Sequence, residues 1–389
     1  MRFGFCWAIC ALAVWLPCNL ASADTVRVLV VCGQSNCVGR NANGAELPPE
    51  LRLQPDARFW YVEGPSQAVL DPAARIESGG WIPLRTQPDQ GSGTFIHPEG
   101  FGPEITLGRL LTDSGTKPLA IVKFAISATS LGEHWNVASG VLYPQMIAEV
   151  QAALAALVDA GESPEVAGFF WMQGEWDARD GALANAYESY FSALVAGIRS
   201  DLGVPGLPVV VGRISSGIAA NGSYPGLLAV RAAQASVTGI DPLAVLVDTD
   251  DLPLDLDNLH FNTSSEQMLG ERFAYAHASL SPLDALVLEP PAPGAAGMVN
   301  TFEVRGGGPF KKVYFVFGFT PGERAVPRCA ELRIGISDPI LGGKIRANGL
   351  GVASLRRRVP AGISGRTVLV QAVDLRNCRA SNLVAHSFP

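Results

Sequence analysis

Short apolar segments alternate with amphipathic ones through the first two thirds of the chain. Five segments are apolar on both faces and rich in β-branched residues, at positions 26–31, 118–125, 166–172, 207–213 and 243–247. Helical patterns lie between and after them, at positions 102–111, 144–159, 182–202, 225–236 and 264–280. Short apolar runs of this composition are typical of buried parallel strands. The alternation therefore predicts an α/β fold whose parallel sheet carries helices on both faces and binds ligands at the carboxyl ends of its strands.

Residues 41–100 interrupt this alternation. The segment is rich in Pro, Gly and Gln and contains Trp60, Tyr61 and Trp81. We interpret it as a long loop that crosses the edge of the sheet, and long loops in compact domains are often functional. Its aromatic side chains are expected either to stack on sugar faces or to pack against the core.

The amino-terminal end has the pattern of a cleavable signal peptide. Residues 1–23 combine the basic Arg2, an apolar stretch at 6–16 and the sequence Ala21-Ser22-Ala23. The apolar stretch is short for a bilayer span. We therefore predict cleavage near Ala23 and a secreted protein, either extracellular or periplasmic.

A proline-rich segment at 288–298 is predicted to link a larger domain at 24–287 to a smaller one at 299–389. In the smaller domain, strand patterns separated by Gly and Pro turns indicate a β-sandwich-like fold, at 313–317, 330–334, 353–355 and 367–373. We expect this C-terminal domain either to bind carbohydrate or to act as a spacer.

Four cysteines remain after the predicted cleavage site. Cys329 and Cys378 both fall in the smaller domain, and an oxidising compartment would permit them to pair. Cys32 and Cys37 are close enough in sequence to pair, but a bridge would strain the turn between them, so two free, buried thiols are favoured. No spacing of Cys and His resembles a zinc site, and no metal is predicted.

The charge pattern excludes two classes of partner. The formal net charge is −7, charged residues make up 17% of the chain, and the run at 356–358 is too short for a nucleic-acid footprint. We therefore expect no nucleic-acid partner and no attraction to anionic membrane surfaces. After the predicted signal peptide, no segment has the pattern of a transmembrane helix.

The sequence Cys32-Gly33-Gln34-Ser35-Asn36 follows the first predicted strand directly. A Gly-x-Ser turn at the end of a central strand exposes the serine hydroxyl and leaves backbone N–H groups free to face an oxyanion. Ser35 is therefore a candidate nucleophile. The alternative is an ordinary serine that is solvated or caps a helix.

The sequence Asp257-Asn258-Leu259-His260 follows the last predicted strand, just before a capping-box pattern at 263–266. An aspartate three residues before a histidine in a turn can hold its carboxylate against the imidazole ring. The pair is therefore a candidate partner for the nucleophile, with Asp255 and Asp250 as alternative carboxylates. The competing interpretation is a solvated loop histidine.

Two further polar stretches follow predicted strands. After residues 166–172, the amide of Gln173 can donate a hydrogen bond to an oxyanion, and Glu175 can hold the turn by hydrogen bonds. After the strand that ends near Ala125, the small residues at 127–132 let backbone N–H groups approach a ligand.

In this order, the Gly-Gln-Ser-Asn turn, the Trp-x-Gln-Gly-Glu-x-Asp segment at 171–177 and the Asp-x-x-His-Phe segment at 257–261 resemble the SGNH/GDSL hydrolase superfamily. Within it, the chain is similar to the acetylxylan esterases of carbohydrate esterase family 6 and to the sialate O-acetylesterases. The resemblance covers roughly residues 25–281 and implies a three-layer α/β/α, flavodoxin-like domain. Relatives commonly carry Gly-Gly-Thr where this chain has Ser-Ala-Thr at 127–129.

The resemblance also implies roles for individual residues. Ser35 would be the nucleophile, His260 the general base, and Asp257 the carboxylate behind it. The backbone N–H groups of Ser35 and Ala128 and the side chain of Gln173 would form the oxyanion hole. Supporting residues would be Gln34, Asn36, Glu175 and Thr129.

The implied activity is that of a secreted serine esterase. It would remove O-acetyl groups from a poly- or oligosaccharide through an acyl-enzyme, with no metal or organic cofactor. One alternative is an esterase of the same fold that acts on a non-carbohydrate acyl ester. Another is a non-catalytic, carbohydrate-binding surface protein built on a decayed hydrolase domain.

Overall fold

The computed structural model describes residues 25–88, 99–115, 117–280 and 285–389. The predicted signal peptide at 1–23 lies outside the described residues. Within the described part of the chain, none of the helices combines the length and apolar character needed to cross a membrane.

The larger domain alternates strands and helices, as the sequence predicts. Its strands are β1 (Thr25–Gly33), β2 (Leu53–Gly64), β3 (Ile76–Glu77), β4 (Ile82–Arg85), β5 (Gln87–Pro88), β6 (Glu99–Gly100), β7 (Leu119–Ile126), β8 (Ser163–Met172), β9 (Val209–Gly212) and β10 (Ala244–Val247). Its helices are α1 (Ser35–Val38), α2 (Pro49–Arg52), α3 (Glu104–Ser114), α4 (Leu142–Asp159), α5 (Gly181–Asp201), α6 (Leu227–Ile240) and α7 (Thr263–Leu280).

The central sheet has the strand order β10-β9-β8-β1-β7-β2-β3, and β4 also pairs with β2. The strands from β10 to β2 run parallel, while β3 and β4 are antiparallel additions at one edge. Gly33, the last residue of β1, lies level with Ala125 and Met172 of the two neighbouring strands. The segments that follow these three strands therefore emerge together at one edge of the sheet. This architecture confirms the α/β/α prediction.

The structure corrects the interpretation of residues 41–100 as a long loop. Residues 53–64 form β2, which pairs in parallel with β7. Its first half is polar and partly exposed and gives no strand pattern in the sequence, whereas its second half, which carries Phe59 and Val62, is buried. Trp60 and Trp81 do not offer free faces to a sugar. They pack edge to face with ring centroids 5.7 Å apart, and their indole N–H groups donate to Glu149 and to the carbonyl of Ala153 on α4.

A buried ion cluster supports the turn that carries Ser35. Lys123 of β7 forms ion pairs with Glu63 of β2 and, at 2.9 Å, with Glu104 of α3, and all three side chains are buried. Lys123 also donates to the carbonyl of Val38 in α1 at 3.2 Å. Burial opposes a charge on Lys123, but the carboxylates of Glu104 and Glu63 outweigh it and raise the pKa of the ammonium above its usual value.

The start of α7 differs from the predicted capping box. Asn262 supplies the cap, because its Oδ1 accepts hydrogen bonds from the N–H of Ser265 at 3.0 Å and the hydroxyl of Ser264 at 2.8 Å. The carboxylate of Glu266 turns into the core instead, where neither oxygen has a hydrogen-bond partner among the described residues. Burial, with a smaller contribution from Glu104, raises the pKa of Glu266 well above its usual range.

The Glu266→Gln variant is expected to gain stability relative to wild type as the pH rises. The folded protein keeps the Glu266 proton, whereas the unfolded chain releases it above an ordinary pKa of about 4.3, so ionisation favours unfolding by about 1.4 kcal/mol per pH unit up to the raised folded pKa. Thermal unfolding from pH 5 to pH 8 should show a growing difference in Tm in favour of the glutamine. Glu50→Gln, an exposed change on α2, controls for loss of charge. A constant difference across this range would contradict the prediction.

Residues 285–389 form the smaller, β-rich domain. Its strands are β11 (Val287–Leu288), β12 (Val299–Arg305), β13 (Lys312–Gly318), β14 (Pro321–Val326), β15 (Cys329–Ile336), β16 (Ile340–Arg346), β17 (Ala353–Arg358), β18 (Thr367–Asp374), β19 (Arg379–Ala380) and β20 (Val384–Ser387). One sheet has the order β11-β12-β17 and another the order β16-β13-β18-β19, with β20 paired to β18. Buried side chains from both sheets, including Val304, Phe315 and Val370, share one core, as in a β-sandwich.

The segment predicted as a linker is attached to this smaller domain. The short strand β11 pairs with β12, and Ala292 forms a bridge with Thr301. Leu286 and Leu288 are buried in the sandwich core. We therefore propose a domain boundary close to residue 285, before the proline-rich segment.

The cysteines follow the sequence-based expectations. Cys329 and Cys378 are joined by a disulfide. Cys32 and Cys37 are free and buried. Burial raises the pKa of both of these thiols, which disfavours the reactive thiolate form.

Candidate active site

The backbone at the end of β1 places Ser35 at the carboxyl edge of the sheet. The N–H of Gln34 donates to the carbonyl of Met172 at 3.1 Å, which ties the turn to β8. A Cβ added at Gly33 would lie 2.0 Å from that same carbonyl oxygen, so only glycine fits there. The chain then turns directly into α1, whose first residue is Ser35.

A cleft of about 280 Å³ opens at this edge of the sheet, and Ser35 lies in its wall. Residues from the segments after β1, β7 and β8 line it together with the loop before α7. The lining residues are Gln34, Ser35, Arg40, Ser66, Ser127, Ala128, Glu175, Trp176, Arg179, Tyr224, Leu259 and His260. The structure thus brings together segments more than two hundred residues apart in sequence.

His260 and Asp257 form a close pair beside Ser35. The ring nitrogen Nδ1 of His260 lies 2.6 Å from Oδ2 of Asp257. The other carboxylate oxygen accepts the backbone N–H groups of Leu259 and His260, each at 3.0 Å, and Asn41 donates to Oδ2 at 3.0 Å. Burial opposes the charge on Asp257, but these hydrogen bonds and the His260 ring outweigh it and hold the pKa of the carboxyl well below its usual range.

The two alternative carboxylates, those of Asp255 and Asp250, have partners other than His260. Oδ1 of Asp255 accepts the N–H of Leu256, its own neighbour. Asp250 is engaged by Arg231 and Arg213. The geometry therefore favours Asp257 as the partner of the histidine.

Asn36 connects the serine turn to the histidine loop. Its Oδ1 accepts the N–H of Phe261 at 3.1 Å, and its Nδ2 donates to the carbonyl of Leu259 at 3.3 Å and to Oε1 of Glu175 at 2.7 Å. Among the described residues, Ser35 Oγ and His260 share the cleft without a direct hydrogen bond. Such bonds are often long in unliganded sites and tighten when substrate binds.

Glu175 is a buried carboxylate at the base of the cleft. Its Oε1 is held by Asn36, while Oε2 has no hydrogen-bond partner within the described part of the chain. Burial raises the pKa of Glu175 above its usual value, against the opposing effects of the Asn36 hydrogen bond and the His260 charge. We assign it a positioning role for the loop of the histidine.

Ser35 and Ala128 line the cleft, and their backbone N–H groups have no acceptor among the described residues. Ala128 has a φ of 55°, a left-handed conformation that glycine adopts without steric cost. The loop thus keeps, with alanine, a backbone shape that suits the glycine of relatives. The N–H of Ala128 is left without an acceptor among the described residues, and the left-handed conformation of a non-glycine residue carries strain.

Replacing Ala128 with glycine is expected to raise the free energy of unfolding by about 1 kcal/mol, because the left-handed strain disappears at a modest entropic cost. Urea denaturation followed by circular dichroism would measure the change. Ala138→Gly, on a surface loop with negative φ, is the matched control and should lower stability or leave it unchanged. Equal effects from the two substitutions would show that the Ala128 backbone is not strained.

Gln173 does not present its amide to the cleft. Its Nε2 donates to Oδ2 of Asp177 at 2.6 Å and to the carbonyl of Thr129 at 2.9 Å, and the residue is fully buried. Thr129 likewise does not reach the cleft, because its hydroxyl donates to the carbonyl oxygen of Ile126 at 2.7 Å. The structure therefore places Gln173 and Thr129 behind the wall of the cleft.

Gln34 lines the cleft, and we propose it for the donor role that the resemblance implied for Gln173. Its Oε1 accepts hydrogen bonds from Nε2 of Gln173 and from the N–H of Trp176, each at 3.3 Å. Its amide nitrogen has no acceptor among the described residues, and the side chain lines the cleft. This geometry makes Gln34 the side-chain donor nearest to the nucleophile in sequence, a role that the motif alone did not distinguish.

The outer part of the cleft carries residues that the sequence did not single out. The guanidinium group of Arg179 lies over the ring of Trp176, 4.8 Å from its centroid. Tyr224 and Arg40 complete this rim. Arg40 and Tyr224 lie outside every recognisable motif, so only the fold could bring them here. Within the described residues, no cluster of His, Cys, Asp and Glu is arranged to hold a metal ion.

The parallel sheet and the cleft at its carboxyl edge define the class of protein, an SGNH-type carboxylic ester hydrolase of the α/β/α kind. The profile of the family described as "Carbohydrate esterase, sialic acid-specific acetylesterase" matches residues 25–279. The chain belongs to this carbohydrate esterase family.

The chain is also similar to individual proteins. The chain is 28% identical over 265 residues to a "Probable carbohydrate esterase" of Arabidopsis thaliana, covering 65% of this chain and 90% of the plant protein. The solved structure of that plant protein superimposes with a TM-score of 0.51 at 23% identity, covering 66% of this chain and 99% of that one. The match with the solved structure of a carbohydrate acetylesterase from Xanthomonas citri covers 93% of this chain and 78% of that one, at 16% identity and a TM-score of 0.48.

Proposed function

We propose that the chain is a secreted serine esterase that removes O-acetyl groups from carbohydrate through an acyl-enzyme. Ser35 is the nucleophile, His260 the general base and Asp257 its carboxylate. The observation that carries the proposal is the 2.6 Å contact between Asp257 and Nδ1 of His260 in the cleft that Ser35 lines. The contact leaves the Nε2 side of the ring for proton exchange with the serine.

In the first step, Ser35 Oγ attacks the acetyl carbonyl while Nε2 of His260 takes the hydroxyl proton. The negative charge on the carbonyl oxygen is stabilised by the backbone N–H groups of Ser35 and Ala128 and by the amide of Gln34. Collapse of this intermediate breaks the bond to the sugar oxygen, which leaves with the proton from His260. Water then repeats the sequence on the acetyl-serine and releases acetate.

The electrostatics of the pair fit this cycle. The pKa of Asp257 is held low, so its carboxylate stays ionised at every pH where the esterase would work. It then fixes the ring orientation and stabilises the imidazolium formed in each step. Because Leu259 and His260 donate their backbone N–H groups to the same carboxylate, the loop geometry itself positions it.

The rim of the cleft supports a carbohydrate substrate. The rings of Trp176 and Tyr224 can pack on the apolar faces of sugar rings, and the guanidinium groups of Arg40 and Arg179 can donate to hydroxyl or carboxylate oxygens. The family description and the names of its relatives agree with this class of substrate.

The test is acetate release from a panel of acetylated xylan, O-acetylated sialic acid and 4-nitrophenyl acetate. We expect a kcat/KM for one of the sugars above that for the small aryl ester, because sugar contacts at the rim add binding energy. Trp176→Ala should lower kcat/KM for the sugar much more than for 4-nitrophenyl acetate. If kcat/KM for both acetylated sugars falls below that for 4-nitrophenyl acetate, the carbohydrate substrate is wrong while the esterase assignment stands.

The Cys329–Cys378 disulfide supports secretion, because such bonds persist in oxidising compartments. Expression of the full chain in a secreting host should yield a mature protein that begins near Asp24. Amino-terminal sequencing of the secreted product measures this directly. An uncleaved, cell-retained chain would contradict the proposed localisation.

A further inference from the structure

The smaller domain contains a second cavity, of about 250 Å³, at an open end of the β-sandwich. Its wall is built from Phe302 of β12, Phe315 and Phe317 of β13, and Phe319 and Phe388 beyond the strands. Phe315 and Phe388 belong to the buried core, whereas Phe302 and Phe317 are only partly buried. The core therefore continues into a cavity that is lined by residues of both sheets.

The lining of this cavity is almost entirely apolar. Aliphatic side chains of Leu355, Val368 and Val370 fill the spaces between the phenylalanine rings. Sugar hydroxyls would lose hydrogen bonds to water there without gaining partners, so this cavity does not suit carbohydrate, which was one of the two roles that we expected for this domain. An apolar ligand would instead release poorly hydrogen-bonded water.

The rim carries positive charge. Arg357 and Arg358 line the opening, and the guanidinium group of Arg366 lies 4.3 Å from the centroid of the Phe319 ring. No carboxylate lines the cavity, and none of these three arginines forms an ion pair with an acidic side chain among the described residues. Arg358 donates to the carbonyl of Gly297, but no carboxylate neutralises the three charges among the described residues. A ligand with one anionic group would therefore find positive charge at the mouth and apolar surface below.

We propose that the smaller domain binds an apolar carboxylate, with its apolar body between the two sheets and its carboxylate against the arginines at the rim. The size of the cavity suits a single small molecule and not a polymer chain. Two sources share this chemistry, a medium-chain fatty acid and a hydroxycinnamic acid. The inference is independent of the esterase site, which lies in the other domain.

Isothermal titration calorimetry of the full chain with octanoate and with ferulate tests the proposal, each beside its matched primary alcohol. We expect at least one acid to bind about tenfold more tightly than its alcohol, because only the acid pairs with arginine. The acid that binds better identifies the source, fatty acid or hydroxycinnamic acid. If neither acid binds, or if acid and alcohol bind equally, the proposal is wrong.

Charge reversal at the rim locates the site. The double variant Arg357→Glu, Arg366→Glu should raise the Kd of the acid at least tenfold and leave that of the alcohol nearly unchanged. Both residues are exposed, so the fold should survive, which circular dichroism would verify. Arg356→Glu, an exposed change in the same strand that does not line the cavity, is the matched control and should have little effect. Unchanged binding in the double variant, or an equal loss in the control, would overturn the proposal.

Discussion

Replacing Ser35 with alanine is expected to lower kcat/KM for 4-nitrophenyl acetate by a factor of about 10⁴ to 10⁶. The hydroxyl is the atom that forms the acyl-enzyme, and no other hydroxyl of the cleft shares its position at the start of α1. The remaining activity would come from the oxyanion donors alone, which still stabilise attack by water. Initial-rate measurements on purified proteins at matched concentration would give this ratio.

Two controls separate loss of chemistry from loss of fold. Ser189→Ala, on the exposed face of α5, should retain wild-type activity. Thermal unfolding should show that the Ser35→Ala protein stays folded. A fluorophosphonate probe should label wild type and Ser189→Ala but not Ser35→Ala. Activity near wild type in the Ser35→Ala protein would exclude Ser35 as the nucleophile.

Asp257→Asn is expected to lower kcat by about 10³ to 10⁴. An amide nitrogen facing Nδ1 of His260 favours the wrong ring tautomer, and the charge that stabilises the imidazolium is lost. Asp255→Asn removes the same charge two positions before Asp257, from a carboxylate that accepts the N–H of Leu256 instead. Its kcat should stay within a few-fold of wild type. The reverse ranking would show that Asp255 is the catalytic carboxylate.

The Asp257→Asn variant is also predicted to change how the stability of the protein depends on pH. The pKa of Asp257 is lower in the folded protein than in the unfolded chain, so its contribution to stability is present above an ordinary pKa of about 3.9 and is lost as the pH falls toward the folded value. Asp257→Asn should therefore be less stable than wild type at pH 7, and the difference should shrink below about pH 4. A difference that persists in acid would indicate a packing effect instead.

The parts of the site that sequence could predict are local ones. The turn at Gly33 and Ser35 is specified by a strand that stops at a glycine, and the pairing of Asp257 with His260 needs only a three-residue spacing in one loop. Both are short-range geometries that a few consecutive residues determine. The order of the motifs along the chain then indicated the family without any knowledge of distances.

The features that the sequence mispredicted depend on contacts between segments that are distant along the chain. The strand β2 was missed because its first half is polar, and its second half at 57–64 is buried only through pairing with β7, about sixty residues further along the chain. Thr263 and Glu266 fit a capping box by spacing, but the hydroxyl oxygen of Thr263 accepts the N–H of Asn43 and the carboxylate of Glu266 is buried in the core, while Asn262 caps the helix. In each case a distant neighbour overrides the local pattern.

By itself, the sequence determined the alternating α/β architecture, the strand end that carries Ser35, the loop before α7 that carries His260, and the family. Only the tertiary structure decided which amide faces the cleft. Asp177 and Thr129 accept the Nε2 hydrogens of Gln173, which is why we propose Gln34 as the donor instead. Hydrogen-bond competition of this kind depends on which groups meet across the sheet, and no spacing along the chain encodes it.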